Sequence, residues 1–432
     1  MNKKAVEWLY EQLPELVDKG IIPTASVDLI RDHYGAVDKK NGGKTILTMF
    51  AIIGVILVGM GIILILAHNW EQLSRMTRTL IAVGLLLVAQ ILVGATIWFK
   101  KDSNVWAESS STFLMVTIGA SIALIGQTYH IADDFSSFML TWMLLSIPLV
   151  YLMGVTTPAL LYLVGVTIWA INGEFPGIGK QLIWALLALI GPYYYSKLVK
   201  KNLYANPTVL VSWVLILCFY ISFGTAFRGA LGHLYMLIYA ALFALTYFVG
   251  ILWFDGPVKV WQRPFTAVGL TGCIGLSFLL TFKDVWQSIG RDFYFIGRSE
   301  YLLAFSLLVL VVILGLRLMN KKIDRHLLFG GVPVVAGVGF LLLYFDVSGI
   351  NATVLCNAYM LLLSVMIILM GARKGEIGTL NIGMLMVAAL IIMRFFDVDF
   401  SFVARGLVFV LLGFSFLAAN WVMVRRKKEV IK

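Results

Sequence analysis

Long apolar runs, separated by short polar segments, make up most of the chain from Thr45 onward. Because about 20 consecutive apolar residues are needed to cross the hydrocarbon core of a bilayer, fourteen of these runs are long enough, or nearly long enough, to span it. They lie near residues 45–67, 78–99, 109–131, 137–154, 156–172, 180–199, 206–226, 231–253, 263–283, 300–319, 326–345, 349–371, 377–394 and 403–424. This pattern predicts an all-α, polytopic integral membrane protein with about 14 transmembrane helices.

The fourth and fifth runs are among the shortest and are separated only by Val155. Pro148 and Pro158 lie close to this junction, and proline removes a backbone N–H donor and kinks or breaks a helix. The two runs are therefore expected to form either a tight hairpin or one broken unit.

The N-terminal segment, residues 1–44, is the only sizeable polar part of the chain. Apolar residues recur at helical spacing from Val6 to Val17, Gly20 is placed to end that helix, and Pro23 precedes residues that can begin a second one. A segment this short cannot bury a useful core by itself. It is expected to dock on the membrane domain or on a cytoplasmic protein, or to serve only as a cap. The predicted organisation is a cytoplasmic N-terminal helical hairpin (1–44), a polytopic membrane domain (45–425) and a basic cytoplasmic tail (426–432).

Composition supports the membrane assignment and changes how the net charge is interpreted. Hydrophobic residues make up 60% of the 432 and charged residues 13%, against about a quarter charged in soluble proteins. The net charge of +11 does not favour nucleic-acid binding, because a basic groove needs soluble surface that this chain mostly lacks. With fourteen spans and the N-terminus inside, the inner segments hold 25 of the 34 Lys and Arg and the outer loops hold nine. The positive-inside rule therefore predicts that both termini are cytoplasmic.

Charged residues avoid the interior of the predicted spans, since none of the 23 Asp and Glu lies in the middle of one. Ion-coupled transporters usually carry such a residue at mid-membrane depth, because the coupling ion needs a partner there. A carrier of a lipid or hydrophobic solute has no such requirement. Cys218, Cys273 and Cys356 lie in apolar runs at wide spacing and form no metal-binding pattern, and no cofactor is expected.

Three clusters of polar residues lie at the ends of predicted spans. The segment Gly119–Asp134, GASIALIGQTYHIADD, begins as an apolar helix and ends in a stretch with a glutamine, a tyrosine, a histidine and two aspartates. The first run ends in His68–Glu71, and Arg394–Arg405 joins the last two runs. The predicted topology places all three clusters on the outer face, where they are expected to line one polar cavity. Its candidate residues are Asn69, Trp70, Gln127, Tyr129, His130, Arg394, Asp397 and Arg405.

Each cluster also has a structural interpretation. For His68–Glu71 it is helix capping and interfacial anchoring. For Gly119–Asp134 it is interhelical hydrogen bonding, and for Arg394–Arg405 it is an arginine–aspartate network in solvent. A zinc or manganese site is a weaker hypothesis, because the spacing of the nitrogen and oxygen ligands is not specific. Its candidate ligands are His68, Glu71, His130, Asp133 and Asp134.

Three stretches of the chain resemble a bacterial family of predicted membrane proteins known as domain of unknown function 2157. They are WLYEQLPELVDKGIIP near the N-terminus, GVILVGMGIILILAHNW in the first run and GASIALIGQTYHIADD in the third. The resemblance extends from about residue 5 to about residue 155, and RFFDVDF with the following Arg405 is similar to a closing motif of the family. It implies a multi-pass protein of the bacterial cytoplasmic membrane and names no substrate.

These observations favour a transporter or flippase-like carrier of a lipid-linked or amphiphilic solute, with membrane lipids as its surroundings. The alternative is a membrane sensor or assembly partner that contacts a cytoplasmic protein through residues 1–44. A membrane-embedded metal-dependent enzyme is the third hypothesis.

Overall fold

The computed structural model describes most of the chain. The described residues are 3–34, 72–131, 134–173, 179–227, 231–256, 259–291, 298–320, 325–345, 348–397 and scattered positions between 403 and 418. All regular structure in these residues is helical. The chain forms two compact units, residues 1–81 and 82–432.

The first unit contains two short helices, α1 (Lys3–Asp18) and α2 (Thr24–Tyr34). Val6 and Leu13 of α1 are buried, as expected for its amphipathic pattern. The turn after α1 contains Gly20 with φ 68°, a left-handed conformation that suits glycine. The helical hairpin predicted from the residue spacing is therefore present, whereas its cytoplasmic location stays a prediction.

Fourteen further helices follow in the described residues. They are α3 (Arg75–Phe99), α4 (Asn104–Tyr129), α5 (Phe135–Met153), α6 (Thr156–Asn172), α7 (Gly179–Ala188), α8 (Asn206–Ala226), α9 (Tyr235–Trp253), α10 (Pro264–Leu279), α11 (Lys283–Arg291), α12 (Arg298–Asn320), α13 (Arg325–Phe329), α14 (Val332–Phe345), α15 (Ile350–Lys374) and α16 (Ile377–Asp397). After α7 the chain continues helically through Gly191–Tyr193 into a π-helical turn, Tyr194–Val199.

Nine helical segments in the described part of the chain are long and apolar enough to cross a membrane. They are all or most of α3, α4, α5, α8, α9, α12, α15 and α16, together with Leu182–Val199. A bent pair, α10 and α11, brings the number to ten, and α6 and α14 are apolar but shorter. The chain is therefore an all-α protein with several candidate membrane spans, and the number of about 14 stays a prediction. The candidates lie at the positions predicted for the second to fourth, sixth to eighth, tenth, twelfth and thirteenth runs. The ninth run lies at the bent pair, and the fifth and eleventh correspond to the shorter helices α6 and α14. The first run lies outside the described residues, and most of the fourteenth does too.

The junction between α5 and α6 has the form of a tight hairpin. α5 ends at Gly154, whose φ of 65° reverses the chain, and α6 begins after Val155 and packs against α5. The side chain of Val155 cannot cap α6. The cap comes instead from Glu108 of α4, whose carboxylate accepts the backbone N–H groups of Thr156 and Thr157.

Close packing of α4, α5 and α6 depends on two glycines. The ring of Trp142 on α5 lies against Gly119 of α4, so that a Cβ at position 119 would lie 2.5 Å from the ring. The indole N–H of Trp142 donates to the carbonyl oxygen of Met115 at 2.7 Å. The next residue of α5, Met143, occupies the space beside Gly165 of α6. Helix α5 is therefore held at a fixed rotation between its two neighbours.

Two hydrophobic cores hold the second unit together. The first is built by α3 to α8 and the second by α8 to α15, and Trp184 and Phe227 pack against both. Tyr162 of α6 is fully buried in the first core, and Trp286 of α11 is fully buried in the second. These cores fix the helix ends at which the polar residues lie.

Candidate functional site

The C-terminal end of α4 turns at His130, which has φ 52° and ψ 41°. Its backbone N–H and that of Ile131 both donate to the carbonyl oxygen of Gly126. A left-handed residue commonly closes a helix in this way, although glycine is the usual one. The side chains of Gln127 and Tyr129 are exposed at this end, as is that of His130. The interhelical hydrogen bonding expected of this cluster as an alternative stays a prediction.

Asp134 begins α5 as its N-cap. Its Oδ1 accepts the Ser136 N–H at 3.0 Å, and its Oδ2 accepts the Ser137 N–H at 3.2 Å as well as the Ser137 hydroxyl. The hydrogen bond from the Ser137 hydroxyl is the main cause that lowers the pKa of Asp134, and the two backbone N–H groups act in the same direction. The group is therefore a carboxylate at neutral pH.

A groove runs along α4 from this polar end. Between α4 and α5 lies a cavity of about 570 Å³ whose polar lining comes from Gln127, Asp134, Ser137 and Thr141. A cavity of about 460 Å³ adjoins it and shares Ile122 with it. The rest of the lining in this second cavity is aliphatic apart from Gln90 and Ser121.

The groove continues into a third cavity, of about 640 Å³, that reaches Tyr151 and Leu152 near the end of α5. The second and third cavities share Gln90, Ile118 and Leu145. We refer to the three adjoining cavities as the α4 groove. It is polar at the end formed by Gln127 and Asp134 and apolar over most of its length.

Gln90 is a polar residue of the α4 groove that the sequence pattern did not single out. It lies in the interior of the apolar helix α3, its side chain is exposed, and it lines two of the cavities. An amide placed in hydrocarbon without a hydrogen-bonding partner is costly. The sequence does contain a single glutamine within the second apolar run. It was not singled out because only charged residues were considered in the interior of the predicted spans.

The depth of Gln90 follows from a contact between α3 and α4. The buried hydroxyl of Ser121 donates to the carbonyl oxygen of Ala82 at 2.9 Å, so these two residues lie at the same level. With a rise of 1.5 Å per residue, Gln90 lies about 12 Å from that level in one direction and Gln127 about 9 Å in the other. The two amides are therefore roughly 20 Å apart along the groove.

Arg394 lies at a different structural feature, the break between α10 and α11. These helices meet at an angle of 84°. Near the end of α16, the guanidinium of Arg394 lies 5.0 Å from the ring centroid of Phe282 and donates from Nη2 to Thr281 Oγ1 at 3.4 Å. The run predicted over 263–283 ends at this break, since α10 ends at Leu279 and α11 begins at Lys283 in a different direction.

The break is stabilised by side chains that satisfy its backbone carbonyl groups. The indole of Trp286 donates to the carbonyl oxygen of Leu280 at 2.8 Å, and the Asn357 amide donates to that of Thr281 at 3.0 Å. Irregular backbone at membrane depth is tolerated only where its polar groups are satisfied in this way. Arg394 therefore belongs to a packed helix junction.

The structure describes only part of the predicted site. Gln127, Tyr129 and His130 share one helix end, Asp134 faces Gln127 across the first cavity, and Arg394 contacts the helix break. Asp397 is the last residue of α16. Outside the described residues lie His68, Asn69, Trp70, Glu71, Asp133 and Arg405. The convergence of three clusters on one cavity stays a prediction, and the described contacts of Arg394 lie outside the α4 groove.

The metal hypothesis can be examined for only two of its five candidates. Among the described residues, no three His, Cys, Asp or Glu side chains lie close enough together to hold a metal ion. His130 and Asp134 belong to this part of the chain, and the other three candidates lie outside it.

Residues 14–160 match the model of a family described as predicted membrane protein (DUF2157). This confirms the resemblance drawn from the sequence motifs, over nearly the same range. No curated protein and no solved structure matches the chain. The matched range includes every residue that lines the α4 groove.

Proposed function

We propose that this multi-pass membrane protein is a carrier of a lipid-linked or otherwise amphiphilic solute and that the α4 groove is its binding path. The observation that carries the proposal is the polarity of the groove, which has hydrogen-bonding groups at one end and aliphatic walls beyond them. An amphiphile has the same division between head and chain. The transporter or flippase-like activity favoured by the sequence therefore gains a specific location.

Access to the groove is lateral. Leu145 and Leu152, which line it, are 56% and 66% exposed. In a membrane such surfaces are in contact with acyl chains, so a lipid can enter sideways while its chain stays in hydrocarbon. A soluble substrate would instead require a closed, polar cavity.

Gln90 supports movement along the groove as well as binding at one end. A headgroup that leaves Gln127 for the interior loses hydrogen bonds to water, and an amide about 20 Å further along offers replacement bonds. Along the walls formed by α3, α4 and α5, Asp, Glu, Lys or Arg occur only near the N-terminal ends of α3 and α4 and at Asp134, the N-cap of α5. A carrier for a lipid needs no buried ion-coupling charge.

The experiment measures lipid exchange between leaflets by the full-length protein in vesicles, with a fluorescent lipid whose label is bleached only from outside. We expect exchange above that of protein-free vesicles and a roughly three- to tenfold slower rate for Gln90→Leu, the effect of one lost hydrogen bond. The double variant Gln90→Leu, Val88→Gln keeps an amide on α3 but on another face, and it is expected not to restore the rate. Exchange equal to that of empty vesicles, with correctly folded protein, would refute the proposal.

We further propose about fourteen spans with both termini in the cytoplasm of a bacterial cell, in its inner membrane. Support comes from the excess of Lys and Arg in the inner segments and from the helices found at predicted positions. Labelling of single cysteines at 102 and 376, both in expected inner loops, and at 176, in an expected outer loop, tests this topology. In intact cells an impermeant reagent is expected to reach only the cysteine at 176, and access to 102 or 376 would contradict the proposal.

A second candidate function is that of a sensor or assembly partner. Its support is the N-terminal helical pair, on which Trp8, Ile21 and Leu29 are 62%, 62% and 70% exposed. Exposed apolar side chains of this size are typical of protein contacts. Co-purification with and without residues 1–44 distinguishes the two functions. Loss of a specific partner together with unchanged lipid exchange would favour the second.

A further inference from the structure

The polar end of the α4 groove carries one charge, and it is negative. Among the described residues that line the three cavities, Asp134 is the only one that is charged at neutral pH, and none of them is Lys or Arg. The ion pairs described elsewhere in the chain, Lys19–Glu15 and Arg263–Asp255, do not involve it. A ligand head in this cavity therefore meets a carboxylate without a basic neighbour among the described lining residues.

The carboxylate of Asp134 has hydrogen-bonding capacity left for a ligand. A carboxylate offers about four acceptor positions, and three are occupied by the two backbone N–H groups and the Ser137 hydroxyl. Oδ1 accepts one bond and Oδ2 accepts two, so Oδ1 is the oxygen available to a donor. These bonds also hold the carboxylate in place and keep it ionised, because they lower its pKa.

Aromatic rings complete the cavity. Phe135 and Phe138 line it together with Asp134, and their ring centroids are 6.2 Å apart. Trp142 follows one turn later, 5.7 Å from Phe138. Ring faces attract ammonium groups, and a carboxylate beside them adds a charge pair. The same surroundings repel a phosphate or sulfate head.

We infer that the α4 groove selects an amphiphile whose head carries an ammonium group. Its nitrogen lies beside Asp134 Oδ1 and the ring of Phe135 or Phe138, and its chain runs along α4 past Ile122 and Ile118. This inference deepens the proposed carrier function and rests on it. It predicts the class of the headgroup: a primary or quaternary amine is accepted, and an anionic head without an ammonium group is rejected.

Binding to the full-length protein in a neutral maltoside detergent tests the inference. The probes share a dodecyl chain and differ in the head, which is an ammonium, a neutral amide or a phosphate monoester, each used well below its micelle concentration in equilibrium dialysis. We expect the ammonium probe to bind about five- to tenfold more tightly than the amide probe, from one charge pair and one ring contact. The phosphate probe is expected to bind most weakly.

Two matched variants assign the selectivity to one group. Asp134→Asn removes the charge but keeps an N-cap of equal quality, and it is expected to bring the ammonium and amide probes to similar affinity. Asp284→Asn, in the first turn of α11, is the control and is expected to keep the preference. Thermal unfolding verifies that both variants are folded.

The possible results distinguish the headgroup assignment from the proposed carrier function. Equal binding of all three probes, or a preference that survives Asp134→Asn, would overturn the headgroup assignment and leave an amphiphile carrier standing. Failure of the wild type to bind any of the probes would refute both. A preference lost equally in both variants would also overturn the assignment, because the effect would then be independent of the groove.

Discussion

Glu108 caps a helix that begins 48 residues later, at Thr156. Its Oε1 accepts the Thr156 N–H at 2.9 Å, and its Oε2 accepts the next backbone N–H at 2.8 Å. The first N–H groups of a helix have no partner within it, and a negative charge at that end also interacts favourably with the helix dipole. A side chain of α4 thus fixes where α6 starts, while the Tyr193 hydroxyl donates to the carbonyl oxygen of Val155 at 2.7 Å.

Removal of this cap is expected to destabilise the protein. Glu108→Ala leaves the first N–H groups of α6 without their acceptor, at a cost of about 1–2 kcal/mol. Thermal unfolding of the detergent-solubilised protein measures this loss of stability. The control is Glu15→Ala, which removes an exposed partner of Lys19 and is expected to change stability by less than about 0.5 kcal/mol. Equal stability of both variants would mean that the Glu108 cap contributes nothing.

A side chain at Gly119 is expected to separate α4 from α5. In Gly119→Ala the new Cβ would lie 2.5 Å from the Trp142 ring, and such overpacking costs about 1–3 kcal/mol. Gly126→Ala is the matched control on the same helix, because open space surrounds that position; it is expected to be neutral or slightly stabilising. A lower unfolding temperature for the first variant alone is the predicted result, and the reverse order would show that Trp142 is free to move.

Arg394→Lys is expected to weaken the helix break although it preserves charge. Lysine lacks the planar group that lies over Phe282 and reaches Thr281, so we expect a loss of about 0.5–2 kcal/mol. Arg373→Lys, at the exposed C-terminal end of α15, serves as the control and is expected to change little. The unfolding temperatures of the two variants are compared in one detergent. A lower temperature for Arg394→Lys alone would show that Arg394 packs at the break, and equal temperatures would show that its guanidinium is solvated.

The contribution of Asp134 to stability depends on pH in a defined direction. Because the folded protein lowers the pKa of this group below 3.8, the stabilising effect of its charge is fully present above that value and is lost as pH falls through the lower folded pKa. The stability difference between wild type and Asp134→Asn should therefore be constant from about pH 8 to about pH 5 and should change only in stronger acid. A difference that already changes near neutral pH would contradict the hydrogen bonding described for Asp134.

Helix boundaries were predicted well wherever hydropathy and local breakers agree. The runs at 206–226 and 156–172 coincide with α8 and α6, because Gly, Pro and polar residues at their ends act locally. The run at 263–283 corresponds to α10 up to the break, but the sequence pattern did not predict that a second helix, α11, follows at an angle of 84°. That break depends on Asn357 and Trp286, which donate to the freed carbonyl groups. A break supported by a residue far along the chain leaves no local signal.

The candidate site was predicted only in part for a related reason. Gln127 and Asp134 stood out because polar residues at the end of an apolar run are visible in the sequence, whereas Gln90 was not singled out. Its importance depends on which side of α3 faces the groove. That rotation is set by contacts such as Ser121 with Ala82, which join residues 39 positions apart.

The sequence by itself determined that this is an all-helical, multi-pass membrane protein with a polar end on α4, because transfer of each segment into hydrocarbon depends on that segment's own composition. Only the tertiary structure decided that Asp134, Gln127 and Gln90 lie along one groove and that Arg394 lies at a helix break. Those relationships depend on the rotation and close approach of packed helices. They are set by contacts such as that between Trp142 and Gly119, which involve residues distant in sequence.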